Sequence, residues 1–243
     1  IEAFSGGKWK VPMVVRAACG GGYGDAGQHE QSLWGWLAHI PGLSVVVPSN
    51  PADAGGIMLS AIEHEGPVVY LEHKLLASYW LDSMGVGGRS TVRFDVPSEG
   101  MSGPVPDSWT AVPLGKAATL REGDDITMVS VAVGVHRCLE AAAVLEEQGI
   151  SASVLDLRTV SPLDHGALCD AVSTSGRLLV VDEDYRDFGL SGELGAIVLE
   201  AGIPLKYSRV CTEETIPYSR ELEDQVLPST RRIVDAARKL MER

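Results

Sequence analysis

Pro12-Met13-Val14-Val15-Arg16-Ala17-Ala18, an apolar run of strand length, leads through Cys19 into Gly20-Gly21-Gly22-Tyr23-Gly24-Asp25-Ala26-Gly27-Gln28-His29-Glu30-Gln31. Behind that loop, within Ser32 to Ile40, the apolar residues Leu33, Trp34, Leu37 and Ile40 recur at helical spacing until Pro41-Gly42 stops the pattern. Five glycines in so short a loop free the backbone to take positive φ and to approach a ligand closely. A strand, a glycine loop and a helix start presenting a histidine is the geometry expected of an active-site edge in an α/β fold. Taken alone, the same letters also describe a flexible surface turn with a solvated histidine, because short motifs are weak.

The surrounding chain favours the α/β reading. Leu43 to Val47 is a second strand, and Pro48-Ser49-Asn50-Pro51 turns into a helix with Ser49 or Asn50 as N-cap and Pro51 at its first position. That helix carries Ile57, Leu59, Ala61 and Ile62 and ends near Gly66-Pro67, before a third strand at Val68 to Leu71. Strand, helix, strand, helix, strand with continuous apolar strands implies parallel β and right-handed crossovers. From about Lys74 to Pro113 glycine, serine and proline are frequent and periodicity disappears, as in a long interdomain connection. A second α/β unit follows: strands at Ile126 to Val131, Ala152 to Leu157, Leu178 to Val181 and Leu205 to Val210, with helices at Val135 to Gln148, Leu190 to Ala201 and Thr230 to Met241. Another helix is expected to open at Ser161-Pro162, with Ser161 as its N-cap.

Composition narrows the function classes. A formal charge of −13 on 243 residues argues against a general nucleic-acid binder and against an anionic membrane surface. The four cysteines, Cys19, Cys138, Cys169 and Cys211, have no metal-ligand spacing and read as small buried thiols. No apolar run approaches the length that spans a bilayer. P-loop, GxGxxG, zinc and GxSxG signatures are all absent. His39, His64, His73, His136 and His165 read as solvated or structural. Asp182-Glu183-Asp184 follows a strand end; a solvated loop is the plainer reading there, a ligand-binding edge the alternative. Arg158 suits an interface or an anion equally well.

Pro12-Met-Val-Val-Arg16, Ala26-Gly-Gln-His-Glu-Gln31 and His39-Ile-Pro-Gly-Leu-Ser-Val-Val-Val-Pro48 together resemble the beta subunit of the thiamine-diphosphate-dependent decarboxylating component of 2-oxoacid dehydrogenase complexes. Gly66-Pro-Val-Val-Tyr-Leu-Glu72, Cys138-Leu-Glu-Ala-Ala141, Asp156-Leu-Arg-Thr-Val-Ser-Pro-Leu-Asp164 and Ile216-Pro-Tyr218 continue the likeness. The resemblance implies an α/β chain in which residues 1–76 are the C-terminal part of a transketolase-like pyrimidine-binding domain, 77–112 an enlarged connection and 113–243 a transketolase C-terminal domain. It implies a 2-oxoacid substrate, an alpha subunit holding diphosphate and magnesium, a second beta chain, and acyl transfer to a lipoyl group on an acyltransferase core. It implies a cytoplasmic place, or the mitochondrial matrix in a eukaryote. His29 matches the family histidine that faces the active site and handles protons, chemistry that imidazole performs near neutral pH. Met13, Ala61, Ile62, His64 and Gly66 match a structural potassium site built mainly of backbone carbonyls, with His64 where a carboxylate residue is usual.

One departure stands out. The family's activating glutamate lies upstream of the position matching Ile1, so an incomplete beta-type chain is expected, its remainder on another chain or removed, a remnant without catalysis being the alternative. A transketolase or deoxyxylulose-phosphate synthase C-terminal part and a non-catalytic docking module are the other classes. Gln28-His29-Glu30-Gln31 favours the dehydrogenase type over the sugar-phosphate enzymes.

Overall fold

The computed structural model describes residues 1–86, 94–97 and 102–242, without the side chains of 83–86. The first half runs β1 (Met13–Cys19), α1 (Gly27–Glu30), α2 (Trp34–Ala38), β2 (Ser44–Val46), α3 (Pro51–Glu63) and β3 (Pro67–His73). A 3-10 turn, Lys74–Leu76, and α4 (Ser78–Val86) follow. The second half runs β4 (Ala118–Arg121), β5 (Ile126–Ser130), α5 (Val133–Glu146), β6 (Ala152–Asp156), β7 (Thr159–Ser161), α6 (His165–Ser175), β8 (Arg177–Tyr185), α7 (Leu190–Glu200), β9 (Lys206–Thr212), α8 (Arg220–Val226) and α9 (Thr230–Met241).

Two sheets result. One has the order β1-β3-β2-β7, parallel except for β7; the other has the order β4-β6-β5-β8-β9, parallel except for β4. The fully buried strands β2, β5 and β6 have no polar face, as helix-covered parallel sheets require. Asn50 caps α3 by accepting from Asp53 N at 2.9 Å, with Pro51 at the first helical position. The last helix, α9, buries Ile233, Val234, Ala237 and Leu240 beside α5 and β9, while Arg231, Arg238 and Lys239 are exposed and half-buried Arg232 donates to Val226 O and Leu227 O. The halves are packed as one body: Trp34, Val45, Val69 and Leu71 share a core with Val129, Leu155, Leu178 and Leu194. Cys19, Cys138 and Cys211 are buried free thiols, and Cys169 is half-buried. Among the described residues no helix is long and apolar enough to cross a membrane.

Three local expectations change. Ser161 does not cap a helix; it ends β7, pairs with Val45, and donates its hydroxyl to Leu43 O at 3.0 Å. Asp164 caps α6 instead, accepting from Ala167 N at 3.2 Å, so strand pairing overrides the local cap signal. The connection is not featureless either: α4 lies inside it. Near its end, Val112 N donates to Gly56 O at 2.9 Å and Ser60 Oγ to Val112 O at 2.6 Å. Residues 87–93 and 98–101 of the connection lie outside the described residues. The end of the glycine loop is itself a short helix, α1, and the amphipathic stretch behind it forms only α2; of the three residues between them, Ser32 bonds to Glu183 in the other half.

Candidate active site

The glycine loop leaves the carboxyl end of β1 and sits among the carboxyl ends of β3, β8 and β9, where side chains from different strands converge. Gly20 has φ 90°, and a Cβ there would overlap the His73 imidazole, so strand end and loop meet at a point only glycine tolerates. His29 lies on α1 with its side chain exposed. The Gln28 amide nitrogen is 2.8 Å from His29 Nε2, so the amide donates and the ring proton sits on Nδ1. The histidine backbone is held from below: the Lys74 ammonium donates to His29 O, as does Tyr23 OH at 3.3 Å. Burial holds the Lys74 pKa below its ordinary value.

Carboxylates occupy the loop's own amides. Glu30 Oε1 accepts from Tyr23 N at 3.2 Å and Asp25 N at 3.0 Å, and Glu223 Oε1 accepts from Gly24 N at 2.9 Å. From the second half, Ile216 O also accepts from Gly27 N at 3.0 Å. The next segment is pinned by the acidic run at the end of β8. Asp182 Oδ1 accepts from Trp34 Nε1 at 2.9 Å, Glu183 Oε2 from Ser32 Oγ at 3.2 Å, and Asp184 Oδ2 from Gly35 N at 2.8 Å. These three acids are therefore neither a solvated loop nor a free ligand edge; they are buried and hold the chain that follows His29. Burial and the neighbouring Asp184 push Asp182 up to about 7, against hydrogen bonds from Asp184 N, Trp34 and Ser191 N. Burial pushes Asp184 up to about 6. Glu183 moves the other way: burial opposes ionisation, but His73, with Arg137 and Ser32, holds its pKa below the ordinary value.

Arg158 serves the interface between the halves. Its guanidinium spans both Asp53 carboxylate oxygens at 2.9 and 2.8 Å, while its carbonyl accepts from Val47 N at 2.9 Å. Ser49 donates to Asp156, whose burial raises its carboxyl to about 6. His136 Nε2 donates to Ser49 O at 2.6 Å, which makes that histidine structural.

Of the residues matched to a potassium site, Ala61 and Ile62 lie in the last turn of α3, His64 is its C-cap, and Gly66 is in the turn before β3. Met13 faces Pro67 in the β1–β3 ladder, so all five gather around one sheet end. Last-turn helix carbonyls lack intrahelical donors and are chemically suited to a cation. The His64 ring bonds sideways, its Nε2 lying 3.4 Å from Ser44 Oγ. Among the described residues no group of three or more His, Cys, Asp or Glu side chains is placed to hold a metal ion.

Among the described residues, two recesses lie near the loop without including His29. A cleft of about 940 Å³ lies between α2 and the β8–α7 turn, beside Trp36, Asp184 and Phe188. A smaller one of about 290 Å³ lies at the ends of β2 and β3, beside Ser49, Tyr70 and His73. A diphosphate gains no cradle from Tyr23, Gly24 and Asp25, whose amides already face two carboxylates. Glu223 and the acidic run were not legible as site-building residues, because a charged segment reads as solvated whether or not its partners are inside.

The family models that match are the transketolase pyrimidine binding domain, over residues 1–78, and the transketolase C-terminal domain, over 115–233. The acetoin:2,6-dichlorophenolindophenol oxidoreductase subunit beta of Cupriavidus necator is 39% identical over 98% of this chain and 65% of its own. The 2-oxoisovalerate dehydrogenase subunit beta of Bacillus subtilis is 37% identical over 98% of this chain and 68% of its own. The pyruvate dehydrogenase E1 component subunit beta of the same organism gives the same three values, 37%, 98% and 68%. A solved structure titled split gene transketolase, inactive beta4 tetramer, superposes with a TM-score of 0.74 at 23% identity, covering 96% of this chain and 67% of that one, which supports the shared fold. The chain thus spans about two thirds of the length of these relatives (65% and 68% of the two first named). With both domain models and these relatives in agreement, the chain belongs to the beta-subunit family of thiamine-diphosphate-dependent 2-oxoacid dehydrogenases.

Proposed function

We propose that this chain is the beta-type part of a 2-oxoacid dehydrogenase, acting in decarboxylation of a 2-oxoacid and acyl transfer to a lipoyl carrier. The observation that carries the reading is His29: an exposed imidazole on a backbone fixed from both halves, at the convergence of four strand ends. Thiamine diphosphate supplies the electron sink for decarboxylation. In this chain, His29 gives and takes a proton at its ring nitrogens, Gln28 orients the ring, and Lys74 and Tyr23 fix the carbonyl behind it. The amides of the glycine loop are bonded to Glu30 and Glu223, which supports assigning the diphosphate and magnesium to an alpha subunit. The reading also takes residues 1–76 as part of the pyrimidine-binding domain and 113–243 as the C-terminal domain, with a second beta chain and an acyltransferase core as partners. Potassium at Met13, Ala61, Ile62, His64 and Gly66 would clamp α3 to the start of β3.

The direct test is titration calorimetry of the full-length chain with thiamine diphosphate and magnesium, with and without an alpha-type partner. Binding that requires both chains supports a shared site. Absence of heat in both arms contradicts it and favours a docking module.

A further inference from the structure

Glu30 and Glu223 come from opposite halves and are buried, with 1% and 0% exposure. Their Oε1 atoms take the three consecutive amides of Tyr23, Gly24 and Asp25, interleaved. Their Oε2 atoms are both buried and accept no hydrogen bond, although the Arg220 guanidinium lies 3.5 Å from that of Glu223. The interleaved amides set the two carboxyl groups side by side, within reach of a hydrogen bond to each other. Two ionised carboxylates are acceptors only and cannot make such a bond; one proton between them supplies the missing donor. Two unsatisfied buried anions facing each other would be costly, and a shared proton removes both the repulsion and the orphaned oxygens.

We propose that Glu30 and Glu223 share one proton through their facing oxygens, and that this carboxyl–carboxylate pair latches the glycine loop carrying His29 to α8. Burial, and then Glu30, push the Glu223 carboxyl up to about 9, so the proton is retained at neutral pH. The cations near the pair are shared with other groups. Arg220 Nη1 is 3.5 Å from Glu223 Oε2, but Arg220 also pairs with Asp224 at 2.6 Å and Asp95 at 3.0 Å. Lys74 feels Glu30 and Asp25 from the far side and spends its hydrogen bond on His29 O. His29 follows Gln28 on the exposed side of α1. The latch concerns the loop's geometry and stands whichever reaction the loop serves.

The sign of its pH dependence follows. A carboxyl whose pKa rises on folding stabilises the fold fully below its unfolded value, about 4.3, and that stabilisation is lost as pH climbs through the folded value. The test uses the full-length chain and its Glu223→Gln, Glu30→Gln and doubly substituted forms. Infrared difference spectra at neutral pH, parent minus either single variant, are expected to show a protonated-carboxyl stretch. Each single glutamine replaces the shared proton with an amide donor, so residues 20–31 keep their hydrogen-exchange protection and lose the alkaline step expected of the parent. The double variant sets two amide donors face to face and is expected to exchange in this segment at least about tenfold faster. No protonated-carboxyl band in the parent, or a band abolished by added monovalent or divalent cations, would overturn the latch in favour of an ionised or cation-bridged pair. A single glutamine that exposes the loop would also overturn it. The single variants decide the matter even if the double variant does not fold.

Discussion

His73 and Glu183 meet across the two halves with Nε2 2.7 Å from Oε2, and neither side chain is open to solvent, at 0% and 3% exposure. Leu75 N points at His73 Nδ1 at 3.3 Å, which assigns the donating proton to Nε2. The same Glu183 oxygen receives Ser32, three residues beyond His29. One buried bond thus ties β3, β8 and the histidine loop together. Removing one partner of a buried pair leaves the other without compensation. His73→Ala is therefore expected to lower unfolding free energy by roughly 3–5 kcal/mol, read from urea titration of the full-length chain. A loss below about 1 kcal/mol would show that the pair does not hold the halves.

Acid-side titration has two opposing signs here. Asp182 at about 7, and Asp184 and Asp156 at about 6, are raised on folding, so each stabilises below its unfolded value and that contribution is lost as pH rises to about 7. Glu183 is lowered, so its contribution is present above its unfolded value and is lost as pH falls through its folded one. Asp182→Asn is expected to flatten the fall in melting temperature between about pH 4 and about pH 7. A lower melting temperature accompanying the flattening is compatible with the mismatched amide facing Ser191 N; an unchanged slope, with or without an offset, contradicts the assignment.

Gly20 and Gly42 separate strain from collision. Both have positive φ, 90° and 82°, but a Cβ on Gly42 meets nothing within 4 Å, whereas one on Gly20 overlaps the His73 ring. Gly42→Ala should cost about 1 kcal/mol, and Gly20→Ala at least about 2 kcal/mol more, in paired thermal melts. Equal losses would remove the close approach of loop and His73 from the account.

A cation at the α3–β3 turn would stabilise by mass action. Melting temperature in potassium chloride should exceed that in choline chloride of equal ionic strength, with the difference growing with concentration. Identical melting curves in the two salts would count against the site at Met13, Ala61, Ile62, His64 and Gly66.

Much of the frame was legible in the letters. The apolar run before the glycine loop is β1, the Asn50-Pro51 cap starts α3, and the spacing of Ile233, Ala236, Ala237 and Leu240 is α9. What escaped depends on partners distant in sequence. Three-residue β7 exists because β2 offers it an edge, and no local signal marks so short a strand. Asp182, Glu183 and Asp184 look like a solvated acidic turn, and only the fold shows that Trp34, Ser32 and Gly35 satisfy them. Glu223 sits in the charged run Arg220–Val226, where nothing distinguishes the buried acid from its exposed neighbours. His29 could be singled out because its loop is local, and Lys74 and Ile216, which hold that loop, could not, because they are distant in sequence.

The central claim is that His29 is the proton-handling group of a site shared with an alpha-type chain. It is tested by assaying His29→Ala in the assembled full-length complex, for lipoyl-linked turnover and for decarboxylation with an artificial electron acceptor, alongside thermal melts. The account predicts a loss of roughly 10²- to 10⁴-fold in lipoyl-linked turnover, the range for one acid–base group, with the melting temperature unchanged because the ring is exposed. Lipoyl-linked turnover equal to that of the parent would contradict it.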